Sequence, residues 1–101
     1  MLSELTVQPV GEHDLTLQGP LTFETAMAAM NELGHYIAYR ERVRINLRGV
    51  THADSAALAV MLESTKLAKR EHCHLTFFEL PSSIQVLVKV AKLDTIVPLE
   101  Q

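Results

Sequence analysis

The chain has 101 residues, enough for one hydrophobic core and not two, and its 48% hydrophobic and 21% charged content is that of an ordinary folded domain. A net charge of −3, with no basic stripe along any segment, speaks against nucleic acid as a partner. The single cysteine, Cys73, cannot close an internal disulfide.

Met1 to Val10 mixes Glu4, Thr6 and Gln8 among its apolar residues and does not read as a signal peptide. In the same segment Leu5, Val7 and Pro9 alternate with Thr6 and Gln8, and Leu15 and Leu17 follow with Thr16 and Gln18. Gly11 to Asp14 lies between them, so a hairpin is expected. The first helix is expected from Phe23 to Tyr36, with Met27, Met30 and Leu33 inward, Thr22 as N-cap and Glu24 at the positive end of its dipole. A third strand shows Val43, Ile45 and Leu47 on one face and Arg44, Asn46 and Arg48 on the other.

The second helix is expected from Ser55 to Glu71, with Leu58, Met61, Leu62, Thr65 and Ala68 forming its inward stripe. His74 to Leu80 reads as a fourth strand, apolar on both faces and so expected near the sheet centre. A third helix from Ser82 to Leu93 follows Pro81, with Ile84, Leu87, Val88 and Ala91 inward and Val86 and Val90 widening the buried arc. A short edge strand over Thr95 to Leu99, ended by Pro98, could follow. One polar face on the alternating strands requires helices on one side only. The expected fold is thus an α/β domain, residues 1–101, with a mixed sheet and helices packed on one face.

No catalytic motif is present: there is no Gly-rich phosphate loop, no His-Glu-x-x-His and no Gly-x-Ser-x-Gly elbow. His72-Cys73-His74 places neighbours on opposite sides of a strand, lacks a second ligand pair, and reads as a helix-to-strand loop rather than a metal site. Arg40, Arg42, Arg44 and Arg48 read as the polar face of a strand and its approach rather than an anion site. Nothing in the sequence calls for a cofactor, a metal or an enzymatic activity.

The segment that does stand out is Asp54-Ser55-Ala56-Ala57-Leu58-Ala59, where a strand meets the longest helix. Asp54 or Ser55 can cap that helix. Capping does not require three small residues in the first turns, and these would let a partner's backbone, or a phosphate favoured by the helix dipole, approach closely.

Asp54-Ser55-Ala56-Ala57-Leu58 resembles the Asp-Ser/Thr-x-Gly-Leu signature of the STAS family (sulfate transporter and anti-sigma antagonist), with Ala57 in place of the usual Gly. The preceding Ile45-Asn46-Leu47-Arg48-Gly49-Val50 resembles the family's third strand, with Asn46 replacing the usual Asp. Gly19-Pro20-Leu21-Thr22-Phe23-Glu24-Thr25, together with the run from Asp54 to Glu63, is similar to the STAS subunits of Mla-type phospholipid transport systems of Gram-negative bacteria.

That resemblance implies a non-catalytic cytoplasmic subunit docked on the ATPase of an ABC transporter, and so at the inner membrane only through its partner. The implied docking residues are Thr22, Thr25, Asp54, Ser55, Ala56, Ala57, Leu58 and Ala59. The other branch of the family, the anti-sigma factor antagonists, carries its phosphorylated serine at the position held here by Ala56. An alanine cannot take part in that partner-switching chemistry.

Overall fold

The computed structural model describes residues 4–100; Met1 to Ser3 and Gln101, which the expected domain includes, lie outside the described residues. The elements are β1 (Thr6–Val10), β2 (Asp14–Leu21), α1 (Ala26–Tyr39), β3 (Arg42–Ala53), α2 (Ser55–Arg70), β4 (His74–Phe78) and α3 (Ser82–Val90). The four strands form one sheet in the order β1-β2-β3-β4. β1 and β2 pair antiparallel, while β2 with β3 and β3 with β4 pair parallel.

Alternation dictates which face is covered. Val43, Ile45 and Leu47 of β3 are buried under the helices with Leu15 and Leu17 of β2 and Leu75 and Phe77 of β4. Arg44 and Asn46 lie on the open face, in ion pairs and hydrogen bonds with other polar side chains. The pairing of β2 with β3 shifts twice, between Thr16 and Gln18 and between Gly19 and Leu21. At each shift β3 spends one extra residue, as in a β-bulge. The first bulge turns Val50 rather than Gly49 inward. It also presses Gly49 against β2, where a Cβ would lie 2.8 Å from the Leu17 carbonyl oxygen, a contact only glycine avoids.

β4 is the last strand of the hydrogen-bonded order, not central as its apolar composition suggests. Its outer edge is covered by the chain's last turn. Thr95 to Leu99 forms no strand; it contributes one bridge, between Phe77 and Leu99. Pro98 does not terminate that contact but takes part in it: its carbonyl accepts from the Phe77 N–H at 2.9 Å, and the Glu100 N–H donates to the Phe77 carbonyl at 2.8 Å.

α1 and α3 bury narrower stripes than their sequences offer, and α2 buries a rotated one. In α1 the buried residues are Ala29, Leu33 and Ile37. Met30 is half-buried, and Met27, expected inward, is 79% exposed. In α2 the buried stripe is Ala57, Val60, Met61, Ser64, Thr65 and Ala68, rotated from the expected one so that Leu58 and Leu62 are only half-buried. In α3 only Ile84 and Val88 are buried; Ala91 is exposed, and Val86 and Val90 stand out at 59% and 78% instead of widening the arc.

His72-Cys73 has a structural role. The His72 N–H donates to the Lys69 carbonyl and the Cys73 N–H to the Ala68 carbonyl, with His72 at φ 60°. This is a Schellman ending to α2, with the apolar Cys73 folded back into the core. α3 ends the same way, with Lys92 at φ 58° and the Leu93 N–H donating to the Val88 carbonyl.

Two of the four arginines hold separate partners. Arg40 donates to the Glu12 carbonyl at 3.0 Å from above the Tyr36 ring, tying the hairpin turn to α1. Arg44 pairs with Asp14 and Glu100 on the open face.

Candidate functional site

The junction of β3 and α2 is organised by Asp54. Its Oδ1 accepts from the Ala56 N–H at 2.8 Å, capping α2. Its Oδ2 accepts from the Phe23 N–H at 3.2 Å, thirty-one residues earlier in the chain. One carboxylate thus closes the mouth of α2 and fixes the approach to α1. With each oxygen accepting from a backbone amide, Asp54 acts as a structural clamp between the two helix entries.

The segment it grips is a turn, not the first turn of a helix. The N–H groups of Thr25 and Ala26 both donate to the Thr22 carbonyl, and α1 starts only at Ala26, with Thr25 rather than Thr22 at the N-cap position. The Thr25 hydroxyl donates to the Pro20 carbonyl at 2.8 Å and accepts from the Thr22 N–H at 3.0 Å. Glu24 therefore precedes the helix instead of opening it. Gly19, just upstream, has φ 108° and is crossed so closely by the Glu4 carbonyl that any Cβ would collide with it.

The clamped turn displays Phe23 at 84% exposure, with Met27 one helical turn on. Across from them α2 presents Ser55, Ala56 and Ala59. Between the two helices runs an open groove of about 930 Å³, with Met30 and Val60 in its floor and Glu24, Asp54 and Glu63 as its charged members. An exposed phenylalanine and methionine beside a strip of small residues form an apolar patch of the kind that marks an interaction surface.

Of the expected docking residues, the structure brings Asp54, Ser55, Ala56 and Ala59 into this groove. Thr22 and Thr25 line a separate depression of about 620 Å³ with His52 and Ala28 on the other side of the turn. Ala57 has no exposed surface and belongs to the core, so it can contact no partner in this fold; Leu58 is half-buried against the same core. Sequence reasoning missed Phe23 and Met27. Their i, i+4 spacing was legible, but Met27 also fits a stripe with Met30 and Leu33, and spacing alone does not say which stripe is covered.

Among the described residues no cluster of three or more His, Cys, Asp or Glu side chains is placed to hold a metal ion, and no helix is long and apolar enough to cross a membrane. Burial raises the Cys73 thiol above its ordinary range, which disfavours the reactive thiolate.

A sequence family described as Mlab, STAS domain, matches residues 5–98. No curated protein matches the chain significantly. Among solved structures, the chain is similar to a candidate anti-sigma factor antagonist from Thermotoga maritima, with a TM-score of 0.78 and 16% identity over 96% of this chain and 86% of that one. It is also similar to the anti-sigma factor antagonist SpoIIAA in its unphosphorylated form, with a TM-score of 0.69 and 10% identity over 96% of this chain and 87% of that one. At such identities the likeness is one of fold: a four-stranded mixed sheet with three helices.

Proposed function

The chain belongs to the STAS family, of the type described as Mlab, and from that membership we propose that it is a non-catalytic, single-domain cytoplasmic subunit docking on the ATPase of an ABC-type phospholipid transport system. The observation that carries this reading is the Asp54 clamp, which holds Phe23 and Met27 exposed beside the small residues of α2. Burying that patch against a partner would remove apolar surface from water, and Ala56 and Ala59 would let the partner's backbone come close. Membrane association would follow from the partner alone.

Co-purification with an Mla-type ABC ATPase from the same organism tests the proposal. The wild type and Lys66→Ala should retain the ATPase, Ala56→Trp and Phe23→Ala should lose it, and Ser55→Ala should weaken it. Each variant is checked by a thermal melt. If folded Ala56→Trp and Phe23→Ala retain the ATPase as the wild type does, the docking surface is elsewhere. ATP hydrolysis by the purified chain, abolished by substituting one of its own residues, would overturn the non-enzymatic reading.

A second reading is supported by the fold likeness to anti-sigma factor antagonists: binding of an anti-sigma factor in a partner-switching pathway. Ala56 argues against the phosphorylated form of that mechanism, because the acceptor hydroxyl is absent. Phosphate mapped to the exposed Ser55 in cells, at a helix N-terminus that favours it, would restore this alternative.

A further inference from the structure

The charges around the groove say what kind of segment fills it. Its ionisable members are Glu24, Asp54 and Glu63, and among the described residues no lysine, arginine or histidine lines it. Asp54 is held in place by two backbone amides, which leaves Glu24 and Glu63 as the acidic groups free to reorient toward a partner at its sides. Glu63 is met by Lys66 at 3.3 Å, but both side chains are more than half exposed, and such a pair competes weakly with a better partner.

The walls fix the shape. On α2, Ser55 to Glu63 spans about 12 Å at 1.5 Å per residue, a little over two turns. Along it Ala56 and Ala59 offer methyl groups only, which allows a second helix to approach to the short end of helix packing distances. On the other wall Phe23 and Met27 stand one turn apart. A helix laid between these walls meets apolar surface along one face and carboxylates beside it.

We propose that the occupant is an amphipathic helix of the partner protein, with apolar anchors at i and i+4 and lysine or arginine flanking them. This deepens the docking reading above and rests on the same groove. The basic flank would pair with Glu24 and Glu63, fixing orientation and raising the rate of encounter, while the apolar anchors supply the affinity.

The test uses the full chain and two synthetic helical peptides of about 14 residues, some 20 Å of helix. Both carry leucines at i and i+4; one is flanked by arginines and the other by glutamates. Binding is read by fluorescence anisotropy and its location by methyl chemical shifts of Ala56, Ala59 and Met27. The arginine peptide should bind about tenfold tighter than the glutamate peptide, a difference of about 1.4 kcal/mol. Its shifts should fall in the groove. Glu24→Lys with Glu63→Lys should reverse the order, and Ala59→Arg should remove binding at the groove.

An unchanged preference in the double lysine variant, or shifts outside the groove, overturns the proposal. Self-association of the peptide-free chain in sedimentation, abolished by Ala59→Arg, would assign the groove to a second copy and overturn it as well. Failure of the docking reading shows separately: the arginine peptide then binds in the groove while the ABC ATPase does not co-purify.

Discussion

Arg44 holds Glu100 in a two-point grip across fifty-six residues of sequence, Nε donating to Oε2 at 2.9 Å and Nη2 to Oε1 at 2.7 Å. The same guanidinium reaches Asp14 at 2.8 Å and lies 4.2 Å above the Phe78 ring. One side chain on the open face of the sheet thus ties the start of β2, the end of β4 and the last turn of the chain.

The first prediction concerns acid. The Arg44 hydrogen bonds hold the Glu100 carboxyl below its ordinary range. A carboxylate whose value is lowered by folding adds stability above its unfolded value and loses it as pH falls through the folded one. Glu100→Gln should therefore melt below the wild type at neutral pH, and the gap should close on acidification. Since the cluster is solvent-accessible, the gap should also shrink with salt. Melting curves from neutral to acid pH, at low and high salt, check both.

Asp54 should show two separable losses. Asp54→Ala removes the α2 cap and the Phe23 anchor, and loss of a cap alone typically costs about 1 kcal/mol. Asp54→Ser can keep the cap but is too short to reach Phe23 as well. Hydrogen exchange at the Phe23 amide should accelerate in both variants, while the melting temperature recovers in the serine variant. Equal exchange in wild type and Asp54→Ser would break the link between the two helices' entries.

Neighbouring alanines should respond in opposite ways to the same substitution. Ala57→Leu forces a larger side chain into a filled core and should cost about 1–3 kcal/mol. Ala59→Leu adds its methyl groups to an exposed position and should leave stability within about 0.5 kcal/mol. Denaturant titration measures both.

The helix endings predict a stabilised protein. His72 sits at φ 60°, where a side chain costs about 1–2 kcal/mol and glycine does not, though glycine gives back part of that in unfolded-chain entropy. His72→Gly should stabilise by roughly 0.5–1 kcal/mol, raising the melting temperature by a few degrees, since 1 kcal/mol is worth about 4–8 °C in a domain of this size. Should it lower the melting temperature, the imidazole contributes something beyond the turn.

The covered face of the sheet was legible because β2 and β3 alternate cleanly, and the mouth of α2 because a capping residue precedes small ones. The start of α1 was not. Thr22 and Thr25 are equally good caps by composition, and the long-range bond from Phe23 to Asp54 holds the earlier turn outside the helix. Met27 and Ala29 both continue to Leu33 at helical spacing, and only packing chose the smaller side chain for the interior. β4 misled for a physical reason. Leu75 and Phe77 are covered by the helices and Phe78 lies under the Arg44 guanidinium, while the outer edge is met at Phe77 by the terminal turn rather than by a further strand. Asp54, Ser55, Ala56 and Ala59 line one groove, and that this groove is the docking face is a proposal that binding experiments have to decide.

The strand order β1-β2-β3-β4 is also the order of synthesis. Each new strand pairs with the one just made, and none has to be inserted between two that are already joined. As the chain leaves the ribosome at about 5–20 residues per second, the hairpin of β1 and β2 can close first and offer one free edge to β3, which then offers its own to β4. Growth in a single direction avoids the unpaired central gap that exposes other parallel sheets to aggregation during folding. Glu100, the last described residue, follows every strand in the sequence, so its grip on Arg44 can form only once all four strands have been synthesised.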